Sequence, residues 1–383
     1  MNSSLRYALK ALVAVSAAAI CGCGGGDGSK ELQEGLAAYG AHDLKKAEKL
    51  LGESLEKAPD NVDALMAQAN VKFELGDFDA TQEALDKARK LVGDEPDVIA
   101  LRSQLAWHVK DIDTARGGFK AMTGPRYDAE TQSAGWLGLG ILEMTENTGE
   151  TACDSARVAL LKALRLDRRN AAAWYHLGLL YRDAFGNDSA ALEQFEVFVR
   201  LEELADERVQ KVSRTIIPQL KDNIAQSLVA LLGSSARDSA SAADLIKSAQ
   251  TAEKSRNYRM AIARYEEACK ADPVSFPALV GYAAVLQEHS TAANAKAKAL
   301  ECYLKACKIR PGSVKTLIAT GTLAAKLDNP AVAVEAFSRA VAADPANITA
   351  IDGLIRALRR SGRASTGSLY QEYRDSLSVK KAK

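Results

Sequence analysis

Four histidines could do acid–base or metal chemistry: His42, His108, His176 and His289. None has a ligand or a general-base partner at a motif spacing, so all four are expected as surface or groove residues. The closely spaced glycines of residues 135–140 (GWLGLG) could suggest a phosphate cradle. They fall within a helical pattern and follow no strand, which removes that chemistry. Cys153, Cys269, Cys302 and Cys307 form no CxxC pair and no Cys/His cluster, so no metal site is expected. Cys302 and Cys307 would point to different faces of one helix, which disfavours a bond between them. Glu202, Glu203, Asp206 and Glu207 make a charge run of the kind that favours a helix start. There is no nucleophile elbow, phosphate loop or HExxH. Catalysis and a cofactor are therefore not expected, and what remains is a binding surface.

The elements that would build that surface are helical. Apolar residues make up 47% of the 383, but aromatics only 6%, and alanine dominates the apolar set. That balance suits helices packed through small residues. The net charge of +1 gives no electrostatic case for nucleic acid.

One pattern recurs along the chain. Residues 170–201 read as two helices around a Gly186-Asn187-Asp188 turn: Trp174, Leu177, Gly178 and Tyr181 mark the first, Ala191 and Phe195 the second. The alanine that opens the second helix has counterparts at Ala47, Thr81, Ala115, Ala156, Ala261, Ala299 and Ala333. Taken in order with Ala191, the spacings are 34, 34, 41, 35, 70, 38 and 34. Large residues follow four positions on (Leu51, Leu85, Phe119, Leu160, Phe195, Tyr265, Tyr303, Phe337). Small residues mark a close helix crossing at Gly35, Ala69, Ser103, Gly140, Gly178, Ala249, Ala283 and Gly321, and prolines close several copies at Pro59, Pro273, Pro311 and Pro345. The gap of 70 holds a degenerate copy over residues 204–232, read as two helices with Pro218 as the first residue of the second. Residues 145–155 and 288–298 read as longer turns inside their hairpins.

This phased pattern resembles the tetratricopeptide repeat, a 34-residue helix-turn-helix unit with the signature W-x2-L-G-x2-Y, A-x3-F and P, over roughly residues 30–360. The resemblance implies an all-α fold: an α-solenoid of about eight to nine helical hairpins forming a right-handed superhelix. It also implies that first helices line a concave face that holds protein segments. Tyr39, Phe73, Trp107, Met144 and Arg182 stand in one column of those helices, spaced 34, 34, 37 and 38. The column is either an apolar ladder that grips a partner or packing between adjacent hairpins. The second-half column, Glu253, Gln287, Ala325 and Arg359, is more polar. Members that bind a C-terminal carboxylate use a Lys/Asn/Arg clamp. Only Asn70 fits a clamp slot, while Leu32, Leu36, Ala100 and Leu101 fill others. A basic cluster, Arg356, Arg359, Arg360 and Arg363, reads as a solvated cap or as a meeting point for an acidic partner.

The first residues read as an address. Arg6 and Lys10 precede an apolar run over residues 11–20 that is too short to span a bilayer. Ile20-Cys21-Gly22-Cys23 resembles a bacterial lipoprotein-type signal peptide, with Cys23 as the residue that would carry the acyl (palmitate) anchor. The expected organisation is a signal peptide over 1–22, a flexible tether over 23–29, a first array over 30–232, a linker over 233–241 and a second array with a capping helix over 242–383. The expected product is a membrane-anchored scaffold or adaptor. It would bind protein or peptide partners in assembly of a bacterial envelope complex, lipid-anchored and facing the periplasm or exterior. The alternative is an accessory role in polysaccharide or polymer export. No nucleic acid and no small-molecule substrate is expected.

Overall fold

The computed structural model describes residues 28–146, 150–202, 207–232 and 238–378. The signal peptide, Cys21, Cys23 and most of the tether lie outside the described residues, as do Glu203 and Asp206. Among the described residues the regular structure is helical and no strand occurs. No helix there is long and apolar enough to cross a membrane.

Helices α1 to α7 are Ser29–Gly40, Leu44–Lys57, Val62–Leu75, Phe78–Val92, Pro96–His108, Ile112–Met122 and Ala129–Glu146. Helices α8 to α10 are Glu150–Leu166, Ala171–Asp183 and Asp188–Leu201. A short α11 (Glu207–Lys211) runs through a π-helical turn (Val212–Ile216) into α12 (Ile217–Leu232). Helices α13 to α20 are Ser239–Lys254, Tyr258–Ala271, Phe276–His289, Ala295–Ile309, Val314–Lys326, Pro330–Ala343, Ile348–Arg360 and Ala364–Ser378.

The turn inside six of the hairpins follows one physical rule. A residue in the left-handed region ends the first helix, and an Asp or Asn next to it caps the second. His42, Gly76, Lys110, Gly186, Arg256 and Asp328 have positive φ. The following Asp43, Asp77, Asp111, Asn187, Asn257 and Asn329 each accept a hydrogen bond from the backbone N–H three residues on. The cap satisfies one of the orphan donors of the new helix. Glycine adopts the left-handed turn without strain, whereas His42, Lys110, Arg256 and Asp328 hold it against their Cβ. Arg256→Gly is therefore expected to stabilise the protein by about 0.5–1 kcal/mol, the relief of strain less the added freedom of the unfolded chain. A urea midpoint at or below that of the unaltered protein would disprove it.

The core sits between the two helices of a hairpin and between successive hairpins, as in the buried clusters of α1–α3, α3–α5 and α13–α17. Ala47, Thr81, Ala115, Ala156, Ala191, Ala261, Ala299 and Ala333 are all fully buried, and the large residues four positions on are buried too. The small crossing residues explain themselves in contacts. A Cβ on Gly178 would come within 2.8 Å of the Phe195 ring, and one on Gly321 within 2.8 Å of Phe337. A second set of glycines serves the joint with the preceding hairpin. A Cβ on Gly138 would meet Phe119 at 2.4 Å, and one on Gly353 would meet Phe337 at 2.3 Å. Two glycines of the 135–140 run, Gly135 and Gly138, thus admit α6 side chains and backbone, which is packing rather than phosphate binding.

Three local expectations need correction. Residues 207–232 form one continuous helical run instead of two helices meeting at Pro218. Pro218 has no N–H to donate within the helix, and the turn just before it widens so that Ile217 N–H bonds Val212 O. The long turns are shorter than expected, because residues 150–155 already belong to α8 and residues 295–298 to α16. His176 is buried, not a surface or groove residue.

Contacts divide the chain into two units: Met1–Asn147 with Lys162–Ala173, and Thr148–Leu161 with Trp174–Lys383. The division lies around α8, away from residues 233–241, and of the expected linker residues 239–241 are the first of α13. Asp238 caps that helix through Ser241 N–H, and its own N–H bonds Ala271 O on α14.

Candidate functional site

In the first unit the column residues Tyr39, Phe73, Trp107 and Met144 stand near the C-terminal ends of α1, α3, α5 and α7. The helix crossing at the small residues four positions earlier brings each of the first three against the next hairpin. The Tyr39 hydroxyl donates to Glu74 at 2.7 Å. Burial, and then the Glu74 carboxylate, raise the phenol above its ordinary pKa. Phe73 meets the His108 ring edge-on at 5.7 Å, and both rings touch Phe78. Trp107 is 3% exposed, and its Nε1–H donates to Glu146 at 2.8 Å. That bond and Lys110 hold the Glu146 carboxyl below its usual range. Tyr39, Phe73 and Met144 are half-buried, so part of each ring or chain still faces outward. Arg182 lies in the second unit, half-buried, with its guanidinium on Asp183 at 2.5 and 2.8 Å. Asn70 is buried and donates to Met66 O of its own helix, so it is occupied as a helix contact.

Two positions that the column reading missed lie two residues beyond it. Leu75 is 40% exposed and Val109 55% exposed. They are 34 apart and occupy equivalent places in successive hairpins. The period was the signal for them. Together with the outward parts of Tyr39 and Phe73 they leave apolar atoms in water at repeating intervals, which is what a peptide-binding surface offers.

The second unit holds a different constellation. Asp154 on α8 is 1% exposed and Arg157, one turn on, is 3% exposed. The Asp154 carboxylate accepts from Arg157, from Arg363 Nη2 at 2.7 Å and from the Tyr370 hydroxyl at 3.1 Å. The Arg157 guanidinium lies over the Phe185 ring at 4.2 Å. Burial works against its charge, while Tyr370 and Asp154 support it, and the balance raises it above the ordinary arginine value. Tyr370 and Tyr373 of α20 are fully buried, so this helix is more than a polar cap. Of the basic cluster, Arg360 is spent on Ala325 O and Asp328, and Arg363 on Asp154, while Arg356 and Arg359 are exposed.

His176 on α9 is 5% exposed, with its Nε2 lacking any hydrogen-bond partner and its ring edge-on to Tyr175 at 5.3 Å. Burial, and then Arg208, push its pKa down to about 3. His42 and Glu74 approach at 3.9 Å, and His289 stacks on Tyr258 at 3.5 Å. Cys302 and Cys307 are buried, Cys153 and Cys269 half-buried, and all four are free thiols. Burial pushes the Cys269 thiol up to about 12, which makes it a poor nucleophile. No group of three or more His, Cys, Asp or Glu able to hold a metal occurs among the described residues.

Residues 38–105 match the sequence model of the tetratricopeptide repeat family. Against the curated proteins the sequence has no match. Among solved structures it is similar to Pseudomonas aeruginosa pilF, with a TM-score of 0.39 and 15% identity over 66% of this chain and 95% of that one. It is also similar to the MamA protein, with a TM-score of 0.26 and 15% identity over 65% and 93%. A third likeness is to the TPR2AB domain of yeast Sti1, with a TM-score of 0.26 and 14% identity over 90% and 100%. Likenesses of this degree carry no functional argument. The helical hairpins, their fully buried slots and the match over residues 38–105 together make that segment tetratricopeptide repeats within an all-α array.

Proposed function

We propose that this chain is a non-catalytic scaffold that binds protein segments along the first helices of its first unit. The observation that carries the reading is the pair Leu75 and Val109. They are exposed and apolar, at equivalent places of successive hairpins, beside the half-buried Phe73 and Tyr39. Because Trp107 is closed off by Glu146, it sets the spacing of the hairpins, and the more exposed side chains around it make the contacts. The reading extends to the membrane through the signal-like stretch at residues 1–23: an acyl chain on Cys23 holds the scaffold in a bacterial envelope, facing the periplasm or exterior. There it collects partners for assembly of an envelope complex.

The test is a crosslinking pull-down of the full chain from membranes. Leu75→Ser with Val109→Ser is expected to cut recovery of protein partners about tenfold, while Met260→Ser, an exposed apolar control in the second unit, leaves it unchanged. Undiminished recovery in the double variant would refute the surface. In the same cells, labelled fatty acid is expected on the protein and on Cys21→Ala but not on Cys23→Ala. Label that survives Cys23→Ala would refute the anchor.

A further inference from the structure

The second unit contains a cavity of about 800 Å³, all of whose lining residues belong to that unit. Its size is that of a site for a small ligand. One wall carries Arg157 and Tyr181, which are 3% and 1% exposed. Arg157 Nε and Tyr181 Oη are both buried without a hydrogen-bond partner. Burial pushes the Tyr181 phenol up to about 12, so at neutral pH it keeps its proton. Both groups are therefore donors. The phenol oxygen could accept from the guanidinium, but the two groups approach each other outside hydrogen-bonding geometry, so Arg157 Nε–H and Tyr181 O–H each keep an unspent proton. Asp154 is engaged elsewhere, with Arg157 Nη2, Arg363 and Tyr370 on its two oxygens. A buried donor left unpaired is costly, and two on one cavity wall call for an acceptor from outside the chain. The guanidinium is already fixed by the Phe185 ring and Asp154, so an acceptor meets it without ordering it first.

We propose that this cavity binds a small organic acid, whose carboxylate accepts from Arg157 Nε–H and Tyr181 O–H and whose apolar body lies against Val334 and Leu358. The charge of the lining agrees: Arg157, Lys308, Arg339 and Arg363 outnumber Asp154, Asp188 and Glu335. Charge-assisted bonds from a guanidinium to a carboxylate are the strong kind, and the carboxylate's two oxygens let it serve both donors. The sequence pattern points to protein partners and gives no sign of this site, because its donors come from α8 and α9 and its apolar wall from α18 and α19.

The full chain is titrated by calorimetry with hexanoate and phenylacetate, with hexanamide and phenylacetamide as neutral counterparts, and with inorganic phosphate. The acids are expected to bind with Kd below about 1 mM, and the amides at least about tenfold more weakly. Tyr181→Phe removes one unpaired hydroxyl and keeps the ring, so the fold should stand while acid binding weakens about tenfold. Val334→Trp should fill the cavity and abolish binding. The site is overturned if neither acid binds at about 10 mM. It is also overturned if Tyr181→Phe binds as the unaltered protein does, or if phosphate binds as tightly as the acids, since phosphate has no apolar body.

Discussion

Asp154→Ala is expected to destabilise the protein by about 3–5 kcal/mol, the range for removing one partner of a buried charge pair. The carboxylate is a counter-charge in hydrogen-bonding contact with the Arg157 guanidinium, which is itself almost wholly out of water. It also receives Arg363 and the fully buried Tyr370 hydroxyl. Without it, three donors lose their acceptor and one buried cation loses its charge partner. The damage should appear at α20 as well as in the global midpoint, because Tyr370 ties that helix to α8 across 216 residues of sequence. Hydrogen exchange over residues 364–378 should speed up in the variant. The double variant Asp154→Leu with Arg157→Met should recover most of the loss, since replacing a buried ion pair by packed apolar groups is often neutral. Glu83→Ala, which breaks the exposed i,i+4 pair with Lys87, should leave the urea midpoint almost unchanged. If Asp154→Ala unfolds at the same urea concentration as the unaltered protein, the network contributes nothing to stability.

The contrast between those two pairs also marks where the sequence was legible. The alanine, large-residue and small-crossing slots read from the 34-residue spacing are all buried in the fold, because each depends on local geometry, whereas the closing prolines stay exposed or half-buried. A small residue three or four positions from a large one on a helix will meet its hairpin partner wherever the hairpin stands. The turn at Gly186-Asn187-Asp188 was legible for the same reason: Asn187 acts on an N–H group three residues away. Asp154 was not legible. Its partners on α19–α20 are encoded about two hundred residues later, and nothing in the period announces that α20 returns onto α8. The cavity wall was hidden by the same long separation. The column showed both behaviours at once. Its first four residues stand near the C-terminal ends of successive first helices, but whether Trp107 faces a partner or the next hairpin depended on Glu146, whose side chain lies beyond a three-residue change in spacing. Pro218 was misread because a widened helical turn supplies the room that a break would otherwise give.

Acid should unfold this protein earlier than its carboxylates alone require, and His176 is the reason. An unfolded chain protonates this imidazole near pH 6.5, whereas in the fold burial and Arg208 hold the pKa at about 3. Between those two values the unfolded state binds a proton that the folded state refuses. Stability from this group is thus fully present above pH 6.5, falls as pH drops through the window, and levels off below about 3. The slope approaches 1.4 kcal/mol per pH unit, so the step from pH 7.5 to 5 costs about 2 kcal/mol. His176→Phe keeps a ring against Tyr175 and cannot take a proton. It also removes a buried nitrogen that has no partner, so at pH 7.5 the variant should be at least as stable as the unaltered protein, provided the six-membered ring is accommodated. Urea midpoints at pH 7.5 and pH 5 decide it: the drop between them should be about 2 kcal/mol smaller in His176→Phe. Equal drops in both proteins would mean that the imidazole accepts its proton within the fold, and that α9 opens enough at pH 5 to let water reach it.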